Sequence, residues 1–294
     1  MPAKHYTQIV NMPQMALTGL SESWLFKEIG DCHWQMLCED LGLSSNMILD
    51  EFGNRLYATF IRIKFESTTS LKEFKENDQL DIEGKIQRIG NSLFLGEIVV
   101  ASSDKNITCT LATTFSMRES SSCNYKLTKG IPSGSETLDI TKISDMPTHV
   151  LNYTKLKKGS IQKVLLGNFS FALTDDVLFQ TNYTLNPYTD INGVGLLYFA
   201  AYPLINDYCE MEYFNSEQIS EDHWALNSST MSRDVFYFAN CNIDDVLCYK
   251  LHSCDVVSGN QIAICSSLSR TNDNTVIAMI FTIKQFEPMA AKTV

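Results

Sequence analysis

No run of about 18 consecutive apolar residues occurs in this 294-residue chain, so no membrane-spanning helix is expected. A basic excess is missing as well. The formal net charge is −11, which argues against the phosphate contacts of non-specific nucleic-acid binding. The nine cysteines are an odd number with no CxxC pair and no metal-like Cys/His spacing, so neither a disulfide framework nor a zinc site is expected. Free thiols fit a reducing, cytoplasmic setting. Met1 to His5 lack the basic-then-apolar pattern of a signal peptide, which points the same way. GxSxG, P-loop and dinucleotide motifs are absent. The histidines His5, His149, His223 and His252 scatter without ligand spacing, so no metal is assigned; His33 lies mid-helix and reads as a packed or partly exposed helix histidine.

What is present is apolar content of 44%, enough for a packed core, in a length that allows one large domain or two of moderate size. The same unit also occurs twice. His5-Tyr-Thr-Gln-Ile-Val-Asn-Met-Pro13 is followed, after five residues, by Gly19-Leu-Ser-Glu-Ser-Trp-Leu-Phe. Phe179-Gln-Thr-Asn-Tyr-Thr-Leu-Asn-Pro187 is followed at equal spacing by Gly193-Val-Gly-Leu-Leu-Tyr-Phe-Ala. Pro13 and Pro187, Gly19 and Gly193, and Thr7 and Thr181 are all separated by 174 residues.

Ser21 is a good N-cap, Leu25, Ile29, Met36 and Leu37 form a stripe at helical spacing, and Gly42 is a stop, which predicts a helix to about Leu41. Cys32 and Cys38 then pack as small apolar groups, as does Cys209 in the second helix-like run. That run spans about 194–213, with Pro203 expected to kink it. Each helix leads into an arginine-headed strand, Arg55-Leu-Tyr-Ala-Thr-Phe-Ile-Arg-Ile and Arg233-Asp-Val-Phe-Tyr-Phe-Ala. Three further strand-like runs follow in each half, about 80–89, 92–102 and 107–117, then about 246–254, 260–269 and 275–284. Strict alternation would put Arg55, Tyr57, Thr59, Ile61, Ile63 and Phe65 on one inward face and Arg62 and Lys64 on the other. The stretch between the halves is weakly patterned. It is expected to cross from one half to the other, packed on the surface or carrying short elements.

Strand, helix and four strands, repeated, predict an α+β fold of two tandem hot-dog units, a double hot dog with one long helix on each mainly antiparallel sheet. The expected divisions are 1–118, a crossing linker 119–170, and 171–294. Asp190-Ile-Asn-Gly-Val-Gly-Leu-Leu-Tyr-Phe-Ala resembles the Asp-x-x-Gly-Val-Val-Tyr-x-Ala run of hot-dog acyl-CoA thioesterases, with glycine and tyrosine two residues further apart. Gly19-Leu-Ser-Glu-Ser-Trp-Leu-Phe-Lys-Glu-Ile-Gly-Asp-Cys-His-Trp, Gly53-Asn-Arg-Leu-Tyr-Ala-Thr-Phe, Phe74-Lys-Glu-Asn and Asn186-Pro-Tyr-Thr-Asp-Ile-Asn-Gly resemble the acyltransferase/decarboxylase family of the leinamycin polyketide pathway. The resemblance implies transfer of methylmalonyl or malonyl from coenzyme A to the phosphopantetheine arm of an acyl carrier protein, with loss of carbon dioxide. It implies acyl-CoA as substrate, a carrier protein as partner and no bound cofactor. A thioesterase or dehydratase, or a non-catalytic carrier-binding scaffold, remains the alternative on this fold. A homodimer is left open.

The resemblance also implies a tyrosine as acyl acceptor, at Tyr57. A phenol ionises near pH 10, so activation must come from a cation or a donor-rich pocket. Arg55, two residues away, could stabilise the phenolate or grip the malonyl carboxylate. Decarboxylation leaves an enolate that needs fixed donors. The glycine turns Gly19-Leu20 and Gly193-Val194, read as helix N-termini, would supply them; Thr18 precedes the first and Asn192, before the second, would donate to the carbonyl. Asp190 reads as a capping or orienting carboxylate, although a thioesterase could use it to activate water. Lys155, Lys157 and Lys158, with Lys163, read either as a solvated linker or as contacts for coenzyme A phosphates or an acidic carrier, with Arg62 or Lys64 assisting.

Overall fold

The computed structural model describes residues 4–120, 123–135, 138, 140–216 and 224–286. The first half contributes β1 (Lys4–Ile9), β2 (Met15–Ala16), β3 (Gly19–Leu20), α1 (Glu22–Leu41), β4 (Tyr57–Ser67), β5 (Gln79–Ile89), β6 (Leu93–Ser102) and β7 (Lys105–Ser120). The connection carries β8 (Cys123–Gly130), β9 (Thr141–Lys142), α2 (Thr148–Lys157) and the hairpin β10 (Lys163–Leu166) and β11 (Phe169–Ala172). The second half contributes β12 (Phe179–Thr184), α3 (Ala201–Ser216), α4 (Trp224–Asn227), β13 (Ser228–Tyr237), β14 (Val246–Ser258), β15 (Gln261–Arg270) and β16 (Val276–Phe286).

The main sheet runs β1-β5-β6-β7-β4-β13-β16-β15-β14-β12. Read from either edge inward, the two halves have the same strand order, and they meet along an antiparallel β4–β13 seam at whose centre Lys64 pairs with Asp234. This is the double hot dog. Helix α1 forms as its sequence dictates: Ser21 Oγ accepts from the Trp24 N–H at 3.2 Å, and Gly42 closes the helix at φ 64°. Leu25, Phe26, Ile29 and Met36 of α1 and Ile205, Cys209 and Phe214 of α3 bury against the same face of the sheet, in one core shared by both halves. Each such large apolar side chain contributes about 1.5–3 kcal/mol relative to exposure.

The connection covers the opposite face. Leu156, Val164, Leu166 and Phe171 pack on Phe236 and Phe281, and Val150 packs by Ile61, Leu95 and Ala112. Among the described residues, no helix is long and apolar enough to cross a membrane.

Four local expectations change. The alternation along β4 breaks at a bulge between Phe60 and Arg62, opposite β7. Ile63 and Phe65 face the helices, whereas Ile61 joins the cluster on the other face, so Ile61 and Ile63 do not share a side. Arg62 and Lys64 are not free cations: Arg62 Nε donates to Asp234 at 2.7 Å across the seam, and Lys64 pairs with Glu66. Helix α3 begins at Ala201, not near Val194. Pro203 therefore lies in its first turn, where the missing N–H has no partner to lose, and no kink is required. Finally, Arg233 lies one residue before the seam's central pair and Arg55 nine before, so the two arginines are not counterparts. Arg55 is exposed, while Arg233 is fully buried.

Candidate active site

The seam strands pair only over Arg62–Glu66 and Ser232–Phe236. Beyond Arg62 and Phe236 they part, and the segment 190–199 fills the opening from the helix side. Two clefts adjoin here and share Ala58, Phe60, Asn192, Leu196 and Phe199. One, of about 320 Å³, is lined by Lys27, Asp31, Arg55, Tyr57 and Gly193 among others. The other, of about 380 Å³, opens between β8 and α2 and is lined by Thr59, Ser116, Lys126, Lys129, Tyr153 and Lys157 among others.

The 190–199 segment is held from four sides. Asp190 is fully buried and its carboxylate accepts from the Asn186 N–H at 2.7 Å, Thr189 Oγ1 at 2.9 Å and Tyr183 Oη at 3.1 Å. Burial, then the Asp190 charge and hydrogen bond, hold the Tyr183 hydroxyl well above the usual phenol range. Asn192 Oδ1 accepts from the N–H groups of Val194 at 3.1 Å and Leu196 at 3.0 Å, an Asx-type turn. Asn124 Nδ2 donates to the Gly195 carbonyl at 2.7 Å, Asn240 Oδ1 accepts from the Leu197 N–H at 2.9 Å, and Arg118 donates to the Val194 carbonyl. Gly195 takes φ 79°, the left-handed region that favours glycine. With its oxygen committed, Asn192 keeps its amide Nδ2 without a partner among the described residues, in a side chain that lines both clefts. The Gly193 N–H likewise makes no backbone hydrogen bond there.

Tyr57 is half-buried at the start of β4, opposite Ser116. The Arg55 guanidinium carbon lies 5.1 Å from its ring centre, within cation–π range. Arg55, Tyr57, Asn192 and Gly193 thus line one cleft. Asp190 does not; it orders the turn from behind. The Gly193 turn is not a helix N-terminus, since α3 starts eight residues later.

Thr18 and Gly19 lie apart from this cleft. Thr18 lines a cleft of about 250 Å³ at the opposite end of the seam, with Glu22, Asp207, Trp224 and Lys284. A Cβ on Gly19 would sit 2.3 Å from the Leu71 carbonyl oxygen, so its bareness serves chain packing. Charges close much of that second cleft: buried Arg233 pairs with Glu22 and Asp207, and Lys284 with Asp207 and Glu210. Burial alone would raise Asp207, but Arg233 and Lys284 outweigh it and hold the carboxyl at about 2. For Glu22 burial wins, and its carboxyl is pushed up.

Of the sequence-selected lysines, Lys157 lines the 380 Å³ cleft, whereas Lys155 and Lys158 are exposed outside it. Lys126, Lys129, Lys27 and Arg118 had no local signal, because strands and turns remote in sequence assemble the cleft. His33 is fully buried between α1 and the sheet, with its ring against Gly96 and Nε2 bonded to Thr113 Oγ1. Burial lowers its pKa to about 3.

Neither a family model nor a curated protein matches this sequence. Solved structures match in fold. A protein described as an oleoyl thioesterase from Lactobacillus plantarum superposes with a TM-score of 0.69 at 11% identity, covering 99% of this chain and 97% of that one. An acyl-ACP thioesterase from Bacteroides thetaiotaomicron gives 0.60 at 12% identity, over 96% and 98%. A 12:0-ACP thioesterase from Umbellularia californica gives 0.59 at 13%, over 97% and 94%. At these identities the likeness establishes a shared double hot-dog fold across essentially the whole chain.

Proposed function

We propose that this chain is an enzyme acting on acyl thioesters of coenzyme A or of a carrier protein's phosphopantetheine arm. Within that class, we propose that it moves a malonyl or methylmalonyl group from coenzyme A to an acyl carrier protein with loss of carbon dioxide. The observation that carries this reading is the shared cleft of Tyr57, Arg55, Asn192 and Gly193, with Asp190 committed elsewhere. The resemblance to the acyltransferase/decarboxylases and the fold of the thioesterase neighbours support it. Residues 1–118 and 171–294 are proposed as the two tandem units, with 119–170 as the crossing linker. The free state of all nine cysteines agrees with a cytoplasmic setting.

In this mechanism Tyr57 Oη attacks the thioester carbonyl, its proton leaves with the departing coenzyme A thiol, and an acyl-tyrosine forms. Arg55 supplies positive charge beside the phenol ring. The carrier's thiol then attacks the acyl-tyrosine and returns the proton to Oη. Cleavage of the carboxylate-bearing C–C bond releases carbon dioxide and places the electron pair in an enolate. Asn192 Nδ2 and the Gly193 N–H donate to that oxygen, and a proton from water completes the acyl group.

Hydrolysis is the second reading, because Asp31 lines the cleft and could direct a water, and because the three neighbours are described as thioesterases. Incubation with a holo-carrier protein and malonyl-, methylmalonyl- and longer acyl-CoAs, followed by mass spectrometry of carrier and small molecules, separates the two. Propionyl-carrier from methylmalonyl-CoA is expected. Release of free acid without loaded carrier would overturn transfer and favour hydrolysis.

A further inference from the structure

We propose that Lys126, Lys129 and Lys157 form a phosphate-holding mouth, and that a phosphopantetheine arm enters there and passes between the parted ends of β4 and β13 to Tyr57 and Asn192. The inference rests on the acyl-thioester reading of the cleft and adds the place and direction of entry.

The three lysines come from two separate elements of the connection, β8 and α2, yet line one cleft. Among the described residues none of them has a carboxylate partner. Lys157 Nζ donates to the Phe238 carbonyl at 2.9 Å, which fixes its position without neutralising it. Burial, and then the Lys129 charge, lower the Lys157 pKa. The acid facing them is Glu119, which accepts from Thr128 Oγ1 at 2.8 Å. Lys129 and Lys157 feel each other's charge, and such unpaired like charges cost free energy unless an anion joins them. In a chain of net charge −11 such a cluster is not a by-product of basic composition. Phosphate suits it, because lysine binds phosphate as a point charge.

The cleft behind the mouth takes Thr59 and Ser116 from one side of the sheet and Phe60, Leu196 and Phe199 from the other. It joins the Tyr57 cleft through Phe60, Asn192 and Phe199. A narrow chain of amides and methyl groups fits such a mixed lining better than a bulky head group does. The cleft at the other end of the seam has no β8 or α2 above it. Its lysine, Lys284, is spent on Asp207 and Glu210. One arm per chain is therefore expected, although the fold is repeated.

Calorimetric titration of the full chain with 4′-phosphopantetheine and with pantetheine reads the phosphate contribution directly. The wild type should prefer the phosphorylated form by at least about tenfold, as expected for one or two charge-assisted contacts. Lys126→Ala/Lys129→Ala should bring that ratio close to one, and Lys155→Ala/Lys158→Ala, outside the cleft, should keep it. The stoichiometry should be one. Binding of both ligands with equal affinity by the wild type would overturn this inference and leave the proposed function standing. Binding of neither would overturn both. A ratio lost only in the Lys155/Lys158 variant would move the phosphate off the cleft and refute the mouth. To separate coenzyme A from a carrier-borne arm, the KM for each is measured in the Lys126→Ala/Lys129→Ala variant. A rise of at least about tenfold for either substrate supports the mouth and identifies the source; no rise for either refutes it.

Discussion

Tyr57 Oη can be deleted while the ring under Arg55 is kept. Tyr57→Phe should cost no more than about 1 kcal/mol in stability. It should abolish the acyl-enzyme adduct and carrier loading together, as read by intact-protein mass spectrometry. A residual rate only about 10²–10³-fold below wild type would instead mark Tyr57 as a hydrogen-bond donor to the enolate. A folded variant loading carrier at near wild-type rate would remove Tyr57 from the chemistry. His33 gives a second test at this scale. Its folded pKa of about 3 lies below its ordinary value, so the unfolded chain takes up the proton first as pH falls. The stability it contributes is complete above about pH 6.5 and declines below it by about 1.4 kcal/mol per pH unit. His149, lowered to about 4 by burial and then by Arg62 and Lys64, acts in the same direction. Urea unfolding at pH 7 and pH 5 should show a decline that is flatter by about 2 kcal/mol in His33→Gln. Equal slopes would mean that His33 is protonated in the folded protein.

At the scale of elements, the cleft depends on how closely α1 meets the segment leading into α3. Gly30 permits that approach: a Cβ there would lie 2.3 Å from Cζ of Phe199, whose ring lines both clefts. Gly30→Ala must push the ring aside. The expected cost is about 1–3 kcal/mol of stability, as for overpacking elsewhere, with a rise in KM because the displaced ring narrows the substrate path. Unchanged KM alongside lowered stability would place Phe199 outside that path. The connection is an element in its own right, covering Phe236 and Phe281 while presenting Lys157 to the cleft.

For the whole molecule, the β4–β13 seam and the common core tie the halves into one sheet. The ion network at one end of the seam does the same: Arg233 on β13 holds Glu22 of α1 and Asp207 of α3. Arg233→Met should destabilise by about 3–5 kcal/mol at pH 7, because it leaves carboxylates buried without their cation. Asp207 is 34% exposed at its side chain, which favours the lower end of that range. The penalty should shrink as pH falls, since Glu22, already pushed up by burial, can then take a proton. Urea titrations of both proteins at pH 7 and pH 5 check this, and a penalty that grows at low pH would contradict it.

The repeated order of strand, helix and four strands could be read directly, because caps, stripes and turns are local. Ser21, Gly42 and the Leu25–Leu37 stripe specify α1 without reference to anything distant. The side on which Ile61 lies could not be read that way. It follows from the bulge at Phe60–Arg62, which depends on register against β7. The start of α3 was equally hidden, since Asn240, Asn124 and Arg118 hold the 192–197 segment out of the helix from far along the chain. Lys126 and Lys129 carry no local mark of a site. They gain meaning where the seam strands part and the connection crosses above them. Side-chain periodicity is a property of neighbours in sequence, whereas a cleft is a property of where strands stop pairing, and only the assembled sheet decides that.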